Sequence, residues 1–268
     1  PGHRAANALG ADVVVRTSAV SPDHPEIAAA RESGATVYRR AEFLAACVAG
    51  SRVLAVAGAH GKTTTTAIVA GALVAAGFDP TILVGGYGLG DGANLRVGAG
   101  DWSVVEADEY DRSFLALKPE IALVNNLDRE HLDVYGDMDA LRAAFATFAG
   151  SVGPNGVAWI GVDDAEASAL VGRVDAPTRG FGLDSAASLR AADVSFVDGG
   201  SRFVGFKDSE RLGTCSLRVP GSHNVRNALG AIGAATSAGA PFEVVAEALA
   251  TFVGVGRRFE RLGVKDGA

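Results

Sequence analysis

Short apolar runs alternate with amphipathic stretches along this chain. Residues 11–16 (ADVVVR) predict a short buried strand, and residues 36–38 (TVY) predict another. Between them, residues 25–33 predict a helix, opened by Asp23 or His24 and closed by Gly34. Residues 42–48 predict a further helix. Strand–helix alternation of this kind predicts parallel α/β structure, here in the manner of the second half of a Rossmann-type domain. The first strand and glycine-rich turn of such a domain are expected upstream of Pro1.

The same rhythm continues with longer elements. VLAVA at 53–57 is an apolar strand, and a long helix is predicted over 62–76, with Gly77 as its cap. Residues 102–106, 121–125 and 157–160 predict three more strands. Residues 137–149 are amphipathic and helical, with Leu141, Phe145 and Phe148 on one face. Alternating apolar residues among Ser, Asp and Gly at 184–219 predict a few antiparallel strands. Two helices are expected at 224–238 and 242–252.

Composition narrows the class. With 48% hydrophobic and 21% charged residues, the 268-residue chain reads as a globular protein that stays in solution. The formal net charge is −7 and no Lys/Arg block stands out, so nucleic acid is not an expected partner. Cys47 and Cys215 have no metal or disulfide spacing and read as free thiols of a reducing cytoplasm. The longest apolar run, at 67–78, is interrupted by Gly71 and Gly77. It falls short of the roughly 20 residues that span a bilayer, so no membrane insertion is expected.

The strongest chemical signal is Gly58-Ala59-His60-Gly61-Lys62-Thr63, set between the strand at 53–57 and a helix. Glycines allow a backbone turn whose N–H groups converge on phosphate oxygens, and the helix start adds partial positive charge. Lys62 suits the β- and γ-phosphates, and the Thr63 hydroxyl suits Mg²⁺. The spacing is G-x-x-G-K-T; the longer P-loop spacing would need glycine where Val56 stands. A glycine turn followed by a chance Lys-Thr is the plainer alternative, and the flanking strand and helix count against it. In the run Thr63 to Thr66, some hydroxyls are expected to serve phosphate or metal and at least two to pack or cap.

A second constellation follows in WSVVEADEYDRSFLALKPEIALVNNLDREHLDVYGD. Glu106 ends an apolar strand, and in an open parallel sheet ligands lie beyond the carboxyl ends of strands. Glu106 is therefore placed to hold Mg²⁺ against the phosphates. Glu109 and Asp111 read as part of a solvated acidic loop. His131, past the strand at 121–125, reads from the residues alone either as a structural imidazole or as a second metal ligand.

The loop GAHGKTTTT, the block VEADEYDRSFL, the segment NNLDREHLDVYG, the string PGSHNVRNALGAIGAA and the terminal GVGRRFE together resemble the Mur ligase family of bacterial cell-wall amide ligases. The resemblance covers nearly the whole chain. It implies α/β architecture: a central P-loop domain with a mostly parallel sheet at 51–254, preceded by part of a Rossmann-like UDP-sugar-binding domain at 1–50. The start of a truncated third domain would follow at 255–268. It implies ATP and Mg²⁺, with Gly58, Ala59, His60, Gly61, Lys62, Thr63 and Thr64 around the phosphates. Thr63 and Glu106 would hold one Mg²⁺, and Glu106 with His131 a second. Asn224 and Asn227, one helical turn apart, would reach the adenine, and Arg258 would reach the phosphates. Thr17 and Ser18 match substrate-side hydroxyls.

The implied substrates are UDP-N-acetylmuramate and L-alanine, joined through an acyl phosphate. The span from His131 to Ser151 contains no lysine, so the carbamylated lysine of some relatives is not expected there. A chain of this extent is expected to bind ATP without ligating by itself. Within the family, the short stretch between EADEYD and the next strand favours the alanine-adding branch over the branch that adds a whole murein tripeptide. An unrelated P-loop hydrolase or kinase would leave HNVRN and GRRFE unexplained. A non-catalytic nucleotide-binding module is the remaining alternative.

Overall fold

The structure, a computed structural model, describes residues 2–85, 93–184 and 186–255. The chain divides into two units, Pro1–Gly50 and Ser51–Ala268.

In the first unit, strands β1 (Val13–Arg16) and β2 (Thr36–Arg39) pair in parallel, linked through helix α1 (Pro25–Glu32) and followed by α2 (Arg40–Val48). The His24 ring accepts the Glu26 amide at 3.3 Å, and Pro25 follows as the first helical residue, so a capping side chain and a preset φ start α1 together. The buried strand expected at 11–16 is a strand, but Val13 and Val15 are exposed. Alternation puts these two on one face of a two-stranded sheet and Val14 and Arg16 on the other, half-buried face.

The second unit is built on ten strands in the order β12-β11-β10-β9-β8-β7-β3-β6-β4-β5. In chain order its elements begin with β3 (Arg52–Ala57), α3 (Lys62–Ala75), β4 (Thr81–Leu83), β5 (Leu95–Arg96), β6 (Trp102–Glu106) and β7 (Ile121–Val124). Next come α4 (Leu132–Tyr135), α5 (Met138–Gly150), β8 (Val157–Gly161), α6 (Ala165–Ser168) and β9 (Thr178–Gly182). The unit closes with β10 (Leu189–Val197), β11 (Gly200–Lys207), β12 (Glu210–Leu217), α7 (Ser222–Ser237) and α8 (Phe242–Thr251). From β4 to β10 all pairings are parallel; β5 and the β10–β11–β12 meander are antiparallel. Continuous apolar composition in β3, β6, β7 and β8 reflects strands covered on both faces.

The topology creates the crevice. From β3 the chain crosses to β4 and returns to β6 on one side of β3, and then moves to β7 on the other side. Connections therefore leave the carboxyl end of β3 and its two neighbours in different directions, which opens a hollow at that edge. Three helices, α3, α7 and α8, join one apolar core with the sheet. Helix α7 lies flush because of two glycines. A Cβ at Gly233 would stand 2.7 Å from the Trp159 ring, and one at Gly230 2.9 Å from Phe181. Phe114 packs apart from that core, with ring centroids 5.0 Å from Phe145 and 5.0 Å from Phe148 of α5.

Candidate functional site

Three carboxyl-terminal strand ends meet here. Val56 of β3 pairs with Glu106 of β6, and Ala57 pairs with Val124 of β7. The loop 58–61, Glu106 and the Asn125-Asn126 pair are thereby brought side by side. Gly61 caps α3 with φ of +81°, a left-handed conformation open to glycine. A Cβ at this position would also strike Asn227 Oδ1. The residue before α3 is a glycine with no side chain to cap it, and among the described residues no side chain accepts from the N–H groups of the first turn.

The loop is held from β7. Asn126 accepts the His60 amide at 2.8 Å through its side chain and the Ala59 amide at 3.1 Å through its carbonyl. Asn125 donates to the His60 carbonyl at 3.2 Å and to Thr65 Oγ1 at 3.1 Å. The amides of Ala59 and His60 are therefore engaged within the protein. Those free to meet an anion begin at Gly61 and run into α3.

Lys62 folds back over this loop. Its ammonium donates to the Gly58 carbonyl at 2.6 Å, to the Ala59 carbonyl at 3.3 Å and to Glu109 Oε1 at 2.9 Å. Glu109 is only 3% exposed, against the solvated loop expected for it. A 3-10 segment, Tyr110–Ala116, directs the chain inward, with Asp111 and Arg112 in left-handed conformations at φ of +53° and +57°. Tyr135 then locks the Glu109 carbonyl with a 2.6 Å bond from its hydroxyl. Burial, then the nearby Glu109 carboxylate, push the Tyr135 hydroxyl up to about 12. Asp111 itself is half-buried.

Thr63 Oγ1 donates to Glu106 Oε1 at 3.0 Å, and the Gly85 amide donates to Glu106 Oε2 at 2.6 Å. A hydroxyl beside a carboxylate at a loop that gathers N–H groups is the hard-oxygen donor set that Mg²⁺ takes with nucleotide phosphates, so the residues fit that ion. Thr64 borders a separate small hollow with Gly61, Asn224 and Asn227, whereas Thr65 and Thr66 are fully buried and bond inward, Thr66 to the Lys62 carbonyl at 2.8 Å. His131 lies at φ of +58° just before α4, with Nε2 3.6 Å from Glu109 Oε1. Its ring meets Tyr110 edge-on at 5.3 Å. Among the described residues, the metal-competent group that includes His131 contains Glu109 and Glu130 and not Glu106.

Beside the loop 58–61 is a hollow of about 740 Å³, bordered by Asn125, Asp163, Phe181, His223, Arg226 and Asn227. That volume suits a nucleoside-sized ligand. Asp163 receives Arg226 and the Leu183 amide, which ties α7 to the ends of β8 and β9. Asn224 is buried and donates to the Pro220 carbonyl at 2.7 Å, so its amide N–H also braces the start of α7. In the other unit, Thr17 and Ser18 are exposed in the turn after β1, closed by the Val20 amide on the Thr17 carbonyl at 3.2 Å. Arg258 lies outside the described residues, as does the stretch expected to begin a third domain, apart from Val255.

A parallel sheet with a lysine-bearing loop, a carboxylate and an adjoining nucleoside-sized hollow defines a nucleotide-binding protein of the P-loop kind. Residues 56–235 match the Mur ligase middle domain and residues 1–52 the Mur ligase family catalytic domain; the chain belongs to the Mur ligase family. It is 45% identical to the UDP-N-acetylmuramate–L-alanine ligase of Solidesulfovibrio magneticus, over 99% of this chain and 58% of that protein. It is 44% identical to the ligase of the same name from Thiobacillus denitrificans, over 99% of this chain and 58% of that protein. The chain thus spans 58% of the length of these curated relatives.

Among solved structures, the UDP-N-acetylmuramate-alanine ligase of Thermotoga maritima superposes with a TM-score of 0.84 at 30% identity, covering 99% of this chain and 60% of that one. The UDP-N-acetylmuramate:L-alanyl-gamma-D-glutamyl-meso-diaminopimelate ligase of Neisseria meningitides gives 0.84 at 26% identity, covering 96% and 84%.

Proposed function

We propose that this chain is the nucleotide-binding core of an ATP-dependent ligase that joins L-alanine to the lactyl carboxylate of UDP-N-acetylmuramate in peptidoglycan precursor synthesis. The observation that carries the reading is the convergence of Lys62, Thr63 and Glu106 on one uncapped helix start beside a nucleoside-sized hollow. Equal structural likeness to an alanine-adding and a tripeptide-adding relative means that the fold does not select the amine. The sequence similarity to alanine-adding ligases supports alanine.

In this reading the amides from Gly61 to Thr64 and the Lys62 ammonium bind the ATP phosphates, while Gly58, Ala59 and His60 shape the loop. Asn227, with Asn224 one turn earlier on α7, serves the adenine, and the family resemblance assigns Arg258 to the phosphates. Thr63 and Glu106 hold Mg²⁺, and His131 serves a second ion; such ions would neutralise charge on the transferring phosphoryl group. The lactyl carboxylate attacks the γ-phosphorus, giving an acyl phosphate and ADP. The alanine amine then attacks the acyl carbon, phosphate leaves, and the amide forms. Lys62 offsets negative charge as the γ-phosphoryl group moves.

Residues 1–50 form the UDP-sugar-binding part, with Thr17 and Ser18 on the substrate side. Residues 51–254 form the ATP-binding part, and 255–268 begin an amino-acid-binding part. The reaction is cytoplasmic and involves neither nucleic acid nor membrane insertion; among the described residues, no helix is long and apolar enough to cross a membrane.

Calorimetric titration with ATP and Mg²⁺ tests the reading, with Lys62→Ala as the comparison. Saturable binding, weakened tenfold or more by the substitution while adenosine binding is unchanged, is the expected result. Absence of ATP binding by the unaltered chain would overturn it.

A further inference from the structure

The partners of Lys62 leave it no free proton. An ammonium has three donors, and here they go to the Gly58 carbonyl, the Ala59 carbonyl and Glu109. A phosphate that uses this lysine must take the place of at least one of them. The two carbonyls belong to the loop that shapes the site. Glu109 is the anion of the three, and so the group a phosphate oxygen most resembles.

The environment of Glu109 fits a stand-in that can be displaced. Its main chain is fixed: the carbonyl accepts from Tyr135 Oη at 2.6 Å and from the Arg112 amide at 3.0 Å. The carboxylate is held less completely. Lys62 Nζ lies 2.9 Å from Oε1 and 2.8 Å from the buried Oε2, and among the described residues no other donor reaches Oε2. On the other side His131 Nε2 stands 3.6 Å from Oε1, beyond hydrogen-bond length. The side chain thus has a second basic partner within reach once the lysine turns away.

We infer that Glu109 is the internal counter-anion of the phosphate lysine. It occupies Lys62 when nucleotide is absent, and nucleotide binding displaces it towards His131. Glu109 is in this sense a positioning residue that sets the affinity of the site for phosphate. The inference rests on the nucleotide reading of the site given above.

The sign of its effect separates it from simpler roles. A buried carboxylate beside Lys62 competes for the lysine and repels phosphate, so neutralising it should tighten anion binding. A merely structural Glu109 predicts weaker binding on substitution, because Lys62 would lose its support. A Glu109 that acts as a metal ligand predicts a change only when metal is present.

Glu109→Gln is isosteric, keeps an oxygen for Lys62 and leaves the main-chain bonds intact. Titration of the full chain in EDTA with ATP, and separately with inorganic tripolyphosphate, is expected to show about tenfold tighter binding of both by the variant, with adenosine unchanged. In a Lys62→Met background the gain should largely vanish, because Glu109 acts through that lysine. Glu109→Asp, with the carboxylate drawn back by one methylene, should tighten binding in the same direction by less, and serves if the glutamine variant does not fold.

Unchanged or weaker metal-free binding in both variants would overturn the inference while leaving the nucleotide reading intact. So would an effect seen only with Mg²⁺, or a gain that persists in full without Lys62. Failure of the unaltered chain to bind ATP or tripolyphosphate would remove both the nucleotide reading and the inference.

Discussion

Thr63 Oγ1 lies 3.0 Å from Glu106 Oε1, and this contact joins the first turn of α3 to the carboxyl end of β6. Neither residue is near the other in sequence; the parallel pairing of Val56 with Glu106 puts the carboxylate one strand away from the loop. In the proposed function these two hard oxygens hold Mg²⁺ beside the phosphates. Removing either should uncouple nucleotide binding from metal. Thr63→Ala and Glu106→Gln are each expected to abolish most of the Mg²⁺-dependent gain in ATP affinity, by tenfold or more. Thr63→Ser, which keeps the hydroxyl, should restore it. Titrations with Mg²⁺ and with EDTA check this, and equal gains in all four proteins would refute it.

Asn126 is expected to matter through the loop it holds. Its side chain accepts the His60 amide at 2.8 Å and donates to the His60 carbonyl at 3.2 Å. Asn126→Ala removes both bonds at a half-buried position. A net loss of about 1 kcal/mol per bond is the expected scale for stability. The larger effect should fall on ATP affinity, because the loop loses its fixed shape before the ligand arrives. Thermal melting beside calorimetry separates the two. A fall in stability with unchanged affinity would show that the Asn125 side chain and the carbonyl of residue 126 hold the loop without the Asn126 side chain.

Much of this architecture is legible in the sequence. Apolar runs mark β3, β6, β7 and β8 because strands buried on both faces have little freedom to be polar. The glycine-lysine-threonine turn marks the loop because few residues tolerate its geometry. Harder to read are the elements set by tertiary pairing. β4 is three residues and β5 two, too short for a periodic signal. β9 (TRGFG) carries two glycines and an arginine, and it is a strand because it pairs in parallel with β8, where Gly180 leaves room for Val162 and Phe181 packs against Gly230 of α7.

Glu109 is the instructive miss. In EADEYD the acidic residues look alike, and a run of acids reads as solvated. Burial of Glu109 depends on left-handed turns at Asp111 and Arg112 and on Tyr135, 26 residues away. Its partner Lys62 is 47 residues away in the chain, so the pairing leaves no local signal. His131 shows the same limit: its neighbours Glu109 and Glu130 are set by a left-handed residue at the start of α4.

Gly61→Ala should damage the site in two separable ways. The substitution strains a residue at φ of +81°, at a cost of about 1–2 kcal/mol. The new methyl group also meets Asn227 Oδ1. Asn227→Ala in the same protein removes that collision and leaves the strain and a close contact with Asn125 Nδ2. Stability should therefore fall in the single Gly61 variant and recover partly in the double variant. ATP affinity should stay low in both, because Asn227 borders the nucleoside hollow. Strict additivity of the two substitutions in thermal unfolding would show that the side chain moves aside at no cost.

Tyr135 predicts the alkaline limb of stability. Its hydroxyl, ordinarily near 10, is pushed up to about 12 in the folded chain, first by burial and then by the Glu109 carboxylate. A raised pKa means that the folded state keeps the proton that the unfolded state gives up. The resulting stability is present below pH 10 and is lost as pH rises through about 12. Cys215, pushed up from 9.0 to about 12 by burial alone, adds a second alkaline contribution that begins lower. Tyr135→Phe should therefore cost about 1 kcal/mol near neutrality, where the bond to the Glu109 carbonyl is lost. It should also flatten the decline between pH 10 and 12 without removing the part due to Cys215. Chemical denaturation at pH 8, 10 and 11.5 reads both effects. A variant whose stability falls as steeply as that of the unaltered chain would show that Tyr135 ionises as readily folded as unfolded.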